Sequence, residues 1–138
     1  MSGVDAESAI YTLLSGASAV TALVGPRIYN GELPQGVAMP AVGYTHISTV
    51  PVPALDAFAA YVLVRSRIEV VALAKDLVGM KDLLRKVRAA CNYQRGVING
   101  VQVNSILREL EGPTTRNSDM TLFAQTIDFM VTWQEPNP

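Results

Sequence analysis

One cysteine and one histidine are all that this 138-residue chain contains of either residue. Cys91 has no second cysteine to pair with, so an internal disulfide is excluded. A zinc site needs several His, Cys or carboxylate ligands converging on one point, and His46 with Cys91 alone cannot supply it. His46 falls inside a strand-like run with no nucleophile-elbow sequence around it, so no Ser/His/Asp triad is indicated. Gly96, Gly100 and Gly112 stand in turn-like surroundings and form no phosphate-cradling loop. Charge is scarce and balanced. The net charge is −1, only 17% of residues are charged, and no Lys/Arg run marks a nucleic-acid footprint. No stretch of about 18 apolar residues occurs, and no basic region leads into an apolar block near Met1. Neither a membrane span nor a secretion signal is therefore expected.

What is present is apolar. Hydrophobic residues make up 49% of the chain, a high share beside so few charges, which hints at surface covered by a partner. The length suits one domain, and a chain of this size buries roughly 68–70% of its unfolded surface without staples.

The most informative stretch is 60–92. Val62, Val64, Ile68 and Val70 alternate with Arg65, Arg67 and Glu69, which predicts a strand with one apolar and one charged face. A helix is predicted next, from Lys75 to Cys91, with Leu77, Met80, Leu84, Val87 and Cys91 on one stripe. An apolar sheet face and an apolar helix stripe satisfy each other in a two-layer packing. Cys91, on that stripe, reads as a small buried hydrophobe.

Before this unit, a helix is expected over Asp5–Ser15 with Ser2 or Asp5 as its cap, then a short one over Ala17–Val24, stopped by Gly25-Pro26. A Gly- and Pro-rich connection leads to a strand over Ala41–Val50, with Val42, Tyr44, His46 and Ser48 on one face. Pro51 and Pro53 are expected to end ladder pairing and send the chain on an excursion as far as Ala59. After the long helix, Asn99-Gly100 signals a type I′ hairpin turn between Val97-Ile98 and Val101-Gln102-Val103. Strands over Val101–Leu110 and Met120–Gln134 complete the set. The second carries Phe123, Gln125, Ile127, Phe129, Val131 and Trp133 on one face and Thr126, Asp128 and Thr132 on the other.

The expected fold is α+β: a two-layer sandwich in which a mainly antiparallel four- or five-stranded sheet carries two main helices on one face. A single domain over 1–138 is expected, with long loops at about 29–40, 49–60 and 111–119. Glu69 and Asp128 are the best acid–base candidates, but Glu69 shares its face with Arg65 and Arg67, which reads as a cross-strand ion-pair ladder. Arg27 and Tyr29 suit loop anchoring as well as ligand binding.

Several segments together carry a resemblance. Gly25-Pro26-Arg27-Ile28-Tyr29 leads to Pro34-Gln35-Gly36, then to Met39-Pro40-Ala41-Val42-Gly43-Tyr44 with Ile47-Ser48. Arg67-Ile68-Glu69-Val70, a helix, Gly100-Val101-Gln102-Val103 and Gln125-Thr126-Ile127-Asp128-Phe129-Met130-Val131 follow. In this order and spacing the chain resembles the tail-completion proteins of long-tailed, siphovirus-like bacteriophages, a group similar to the tail terminators. It departs from them at Val71, where relatives often have an aromatic residue, and in the 112–119 turn.

The resemblance implies a structural, non-enzymatic role without cofactor. Such proteins assemble as a sixfold ring on the tail tube, stop its polymerisation and face the head connector. The implied partners are further copies of the chain, the major tail tube protein and the head connector or neck protein. The implied location is the head-proximal end of the virion tail, after assembly in the host cytoplasm. Genome DNA would pass through the ring without sequence-specific contact, and no membrane is involved. The candidate ring or tube contacts are Arg65, Arg67 and Glu69 on the charged strand face, and Pro51, Pro53, Leu55 and Asp56 in the excursion. Two alternatives are another neck protein of the virion and a small-molecule- or peptide-binding α/β domain. The second would need a pocket with convergent polar groups between sheet and helices.

Overall fold

The computed structural model describes residues 5–52, 60–117 and 121–136. Helix α1 (Ala6–Gly16) begins at Asp5, whose carboxylate accepts the Ser8 N–H at 3.0 Å while the Asp5 N–H donates to the Ser8 hydroxyl at 3.2 Å. This reciprocal capping satisfies two donors that a bare helix start leaves open. Helix α2 (Ser18–Val24) follows and stops at Gly25. The remaining elements are β1 (Ile28–Asn30), β2 (Ala41–Pro51), β3 (Tyr61–Ala74), α3 (Leu77–Cys91), β4 (Gly96–Ile98), β5 (Val101–Glu111), β6 (Thr115–Arg116) and β7 (Phe123–Pro136).

Among the described residues the seven strands form one sheet in the order β1-β2-β3-β7-β5-β4, with β6 also pairing β7. The sheet is larger than the expected four or five strands, and it is mixed, because β1 runs parallel to β2. A third helix, α2, also contributes to the core. The additions are short: β1 has three residues and β6 has two, too few for a period of two to register, while β4 is the arm expected at Val97-Ile98. The sheet also curls. Helix α1 touches β1 near one end of the strand order and β4 and β5 at the other.

The core fills the space inside that curl. Ile10, Leu14, Val20, Val24, Leu83 and Val87 come from the helices, and Val42, Val64, Ile68, Val70, Ile127, Phe129 and Val131 from the strands. Each such side chain, fully buried, contributes about 1.5–3 kcal/mol. Leu77 departs from the expected stripe; it begins α3 and is 44% exposed, while Leu83 is buried. The β4–β5 hairpin turns at Asn99 and Gly100, whose φ angles of 51° and 79° are both positive, as a type I′ turn requires.

Two expectations about β2 are corrected. The ladder does not stop before Pro51, which lies opposite Val64 as the last residue of the strand. Beyond Tyr44 the pairing with β1 has ended. The Val52 N–H points to Leu63 O, so the nitrogen of Pro51 faces the open edge, where no donor is needed. The strand therefore runs one residue past the expected end at Val50 and takes in the start of the loop expected at about 49–60. Second, a bulge between His46 and Ser48 shifts the alternation, so Ser48 pairs Arg67 on the outer face instead of following His46.

Candidate functional site

The side of the sheet away from the helices carries the charges. Strand β3 sends Arg65, Arg67 and Glu69 to this outer face because Val64, Ile68 and Val70 are taken by the core. Cross-strand register arranges three rows. Thr45, Glu69, Asp128 and Leu110 form one; Ser48, Arg67, Met130 and Leu107 the next; Val50, Arg65, Thr132 and Ser105 the third. The rows come from β2, β3, β7 and β5, so four separate parts of the chain build one surface.

Arg67 is its centre. Its Nη1 lies 3.1 Å from Asp128 Oδ2, a diagonal cross-strand contact, and its Nη2 lies 3.9 Å from Glu109 Oε1. Glu69 stands directly across from Asp128. The two acid–base candidates are thus neighbours, but the expected ladder through Glu69 is not formed: among the described residues Arg67 pairs with Asp128 and Glu109, and neither Glu69 nor Arg65 has an ion-pair partner. Around these pairs, Val50, Leu107 and Leu110 are exposed, at 59%, 46% and 59%. A surface pair of this kind adds only about 0–1 kcal/mol to stability. An arginine set among exposed aliphatic side chains is the composition of a contact surface more than of a stabilising device.

The predicted contact residues are partly brought together. Arg65, Arg67 and Glu69 share the outer face, and Pro51 ends β2 next to Val50, the partner of Arg65. Pro53, Leu55 and Asp56 lie outside the described residues. Glu109 had no signal in the sequence. It sits in a bulge between Arg108 and Leu110, which breaks the period of two that would have placed it.

The other singled-out residues have structural surroundings. Arg27 Nε donates to Pro40 O at 2.9 Å and Nη2 to Leu23 O at 3.4 Å, anchoring the long connection. His46 is exposed on β2, and its Nε2 is 2.6 Å from Thr49 Oγ1. Thr49 Oγ1 is 2.8 Å from Ser66 Oγ, which accepts the Trp133 Nε1–H at 2.9 Å. Cys91 is buried, and burial pushes its thiol up to about 12. Burial also raises the Tyr44 hydroxyl, helped by the nearby Tyr11, Glu7 and Asp5. Among the described residues no group of three or more His, Cys, Asp or Glu is placed to hold a metal ion, and no buried side-chain polar atom lacks a partner. No single described helix is long and apolar enough to cross a membrane.

Residues 8–134 match the family described as tail completion protein gp17. The chain belongs to the tail completion protein gp17 family. That membership makes it a structural protein of a phage tail, a class that is not enzymatic. Among solved structures, the tail completion chain is similar to a chain in the virion of a native gene transfer agent particle. The two are 17% identical, with a TM-score of 0.67, over 94% of this chain and 95% of the other. At that identity the likeness shows a shared fold. No match was found among curated proteins.

Proposed function

We propose that the chain acts as a single unit over 1–138 that closes into a homo-hexameric ring on the head-proximal end of the tail tube. The ring stops tube polymerisation and forms part of the head–tail joining interface. Its partners are other copies of itself, the major tail tube protein and the head connector or neck protein. It assembles in the host cytoplasm and stays in the virion tail, and genome DNA passes through it without sequence-specific contact. The family match over 8–134 carries this reading.

The outer sheet face supports it physically. A ring closes when one heterologous contact repeats with the right rotation. Arg65, Arg67 and Glu69 supply orientation through charge, and the exposed aliphatic residues around them supply area to bury. Pro53, Leu55 and Asp56, which follow Pro51 in the sequence, are proposed as further contacts.

The test is tube growth in vitro. The major tail tube protein is polymerised with and without this protein, and tube lengths are measured in micrographs. Tubes that stop growing once the protein is added, with density at one end, are the expected result. Unchanged growth and bare ends would remove the capping role.

A further inference from the structure

A second charged surface lies on the helix side of the molecule, at the C-terminal end of α3. Arg85, Arg88, Ala89, Asn92, Tyr93 and Arg108 line an open cleft of about 700 Å³. Arg88 and Arg108 share one carboxylate oxygen, Glu111 Oε1, at 2.6 and 3.3 Å. Arg85 and Lys86 share Asp82 Oδ1 at 3.6 and 3.3 Å. Four cations thus meet two carboxylates, and the region stays positive. Tyr93 stands over it at 77% exposure, held at φ 66° by its N–H bond to Ile106 O at 2.7 Å. Arginine and tyrosine are the residue types that most often dominate binding energy at interfaces.

Acidic residues without a cationic partner lie elsewhere among the described residues. Asp5 caps α1, Glu7 lies in its first turn and exposed Glu32 follows β1. Glu7 Oε2 accepts the Asn30 side-chain N–H at 3.2 Å, and among the described residues none of the three acids has a cationic partner. The Tyr44 hydroxyl is raised first by burial and then by Tyr11, Glu7 and Asp5, which puts Glu7 and Asp5 close to it. Tyr11, 44% exposed, tilts against Tyr44 beside the patch. Glu7 is tied to β1, the first strand in the sheet order, whereas Arg108 belongs to β5, next to the last.

We propose that the arginine cleft of one copy receives the acidic shoulder of α1 and β1 from a second copy. The two patches are made of different residues and carry opposite charge, so the contact is head-to-tail and can repeat from copy to copy. It rests on the ring reading above and names one joint of that ring, in addition to the outer sheet face. Because the charges are exposed, the contact is steered by electrostatics and weakened by salt.

Charge exchange tests it. Wild type, Arg85→Glu/Arg108→Glu, Glu7→Lys/Glu32→Lys and the fourfold variant are compared by sedimentation velocity at low salt and at about 0.5 M salt. Each is also supplied to phage lacking its own copy. Wild type is expected to associate at low salt, each double variant to associate at least about tenfold more weakly, and the fourfold variant to recover. Arg85→Gln, which gives up only a contact with Asp82 at the surface, keeps the test decisive if a double variant misfolds; it should weaken association a few-fold.

A wild type that stays monomeric, a double variant that associates normally, or a fourfold variant no better than its halves would each overturn the contact. Loss in the arginine variant alone would assign the cleft to a different acidic partner and overturn it too. If deleting the gene disturbs tails but both double variants restore them fully, this contact fails while the capping role stands. If deletion changes nothing, the capping role itself fails.

Discussion

Arg67 joins two carboxylates on the outer face, and reversing its charge separates folding from assembly. In Arg67→Glu the new carboxylate faces Asp128 and Glu109, and the expected loss of stability is on the order of 1 kcal/mol, since the pairs are near the surface. The melting temperature should fall by a few degrees while joining to tubes is abolished; normal assembly would remove this face from the account. Ser66 makes a different prediction. It is fully buried on β3 and accepts the Trp133 indole N–H, so Ser66→Ala leaves that donor unpaired. The expected cost is about 1–3 kcal/mol, read by urea denaturation with Trp133, the single tryptophan, as the fluorescent probe. A change within error would mean that the indole finds another acceptor. Cys91 gives the pH dependence. Its folded value lies above its unfolded value of 9.0, so its contribution is complete below about pH 9 and is lost as pH rises towards 12. The slope is about 1.4 kcal/mol per pH unit within that window, and Cys91→Ala should lack it. A native thiol that reacts rapidly with a thiol reagent at neutral pH would contradict this burial.

At the scale of elements, the close approach at Gly43 ties the long connection to the sheet. A Cβ there would lie 3.0 Å from Leu33 Cδ1 and 3.1 Å from Val71 Cγ1. Gly43→Val should push Leu33 off the outer face and destabilise the protein by about 1–3 kcal/mol, seen as a lower denaturation midpoint. An unchanged midpoint would show that the connection yields freely. Strands β3 and β7 show what the sequence could reveal. Alternation in 61–74 and 123–134 placed the core residues Val64, Ile68, Val70, Ile127, Phe129 and Val131 and the charged face opposite them, because β3 and β7 pair with each other without a break and the bulges fall in β2 and β5. The 3.6-residue stripe found α3, and Asn99-Gly100 found its hairpin. Bulges erased the signal elsewhere: one at Ile47 reversed the face of Ser48, and one at Glu109 hid the second partner of Arg67. The arginine cleft was also illegible. Arg85 and Arg88 on α3 are far in sequence from Arg108 on β5, and only the packing of α3 beside β5 brings Arg88 and Arg108 onto Glu111. Pro51 was misread for a simpler reason. A proline interrupts a central strand, but the outer side of β2 is open there.

At the scale of the whole molecule, the curled sheet offers an outer face with mixed charged and aliphatic residues, while the helix side carries separated basic and acidic patches. A protein built this way binds through surfaces. The described clefts are surface features such as the arginine cleft and a smaller one of about 210 Å³ beside the start of α3. The central claim is that this surface machinery caps the tail and joins it to the head. The most direct measurement is electron microscopy of particles from a host whose phage lacks this gene. The account predicts filled heads beside separate tails, with tails of abnormal length. Joining defects with tails of normal length would point to a neck protein instead. Normal, joined particles would contradict the account altogether.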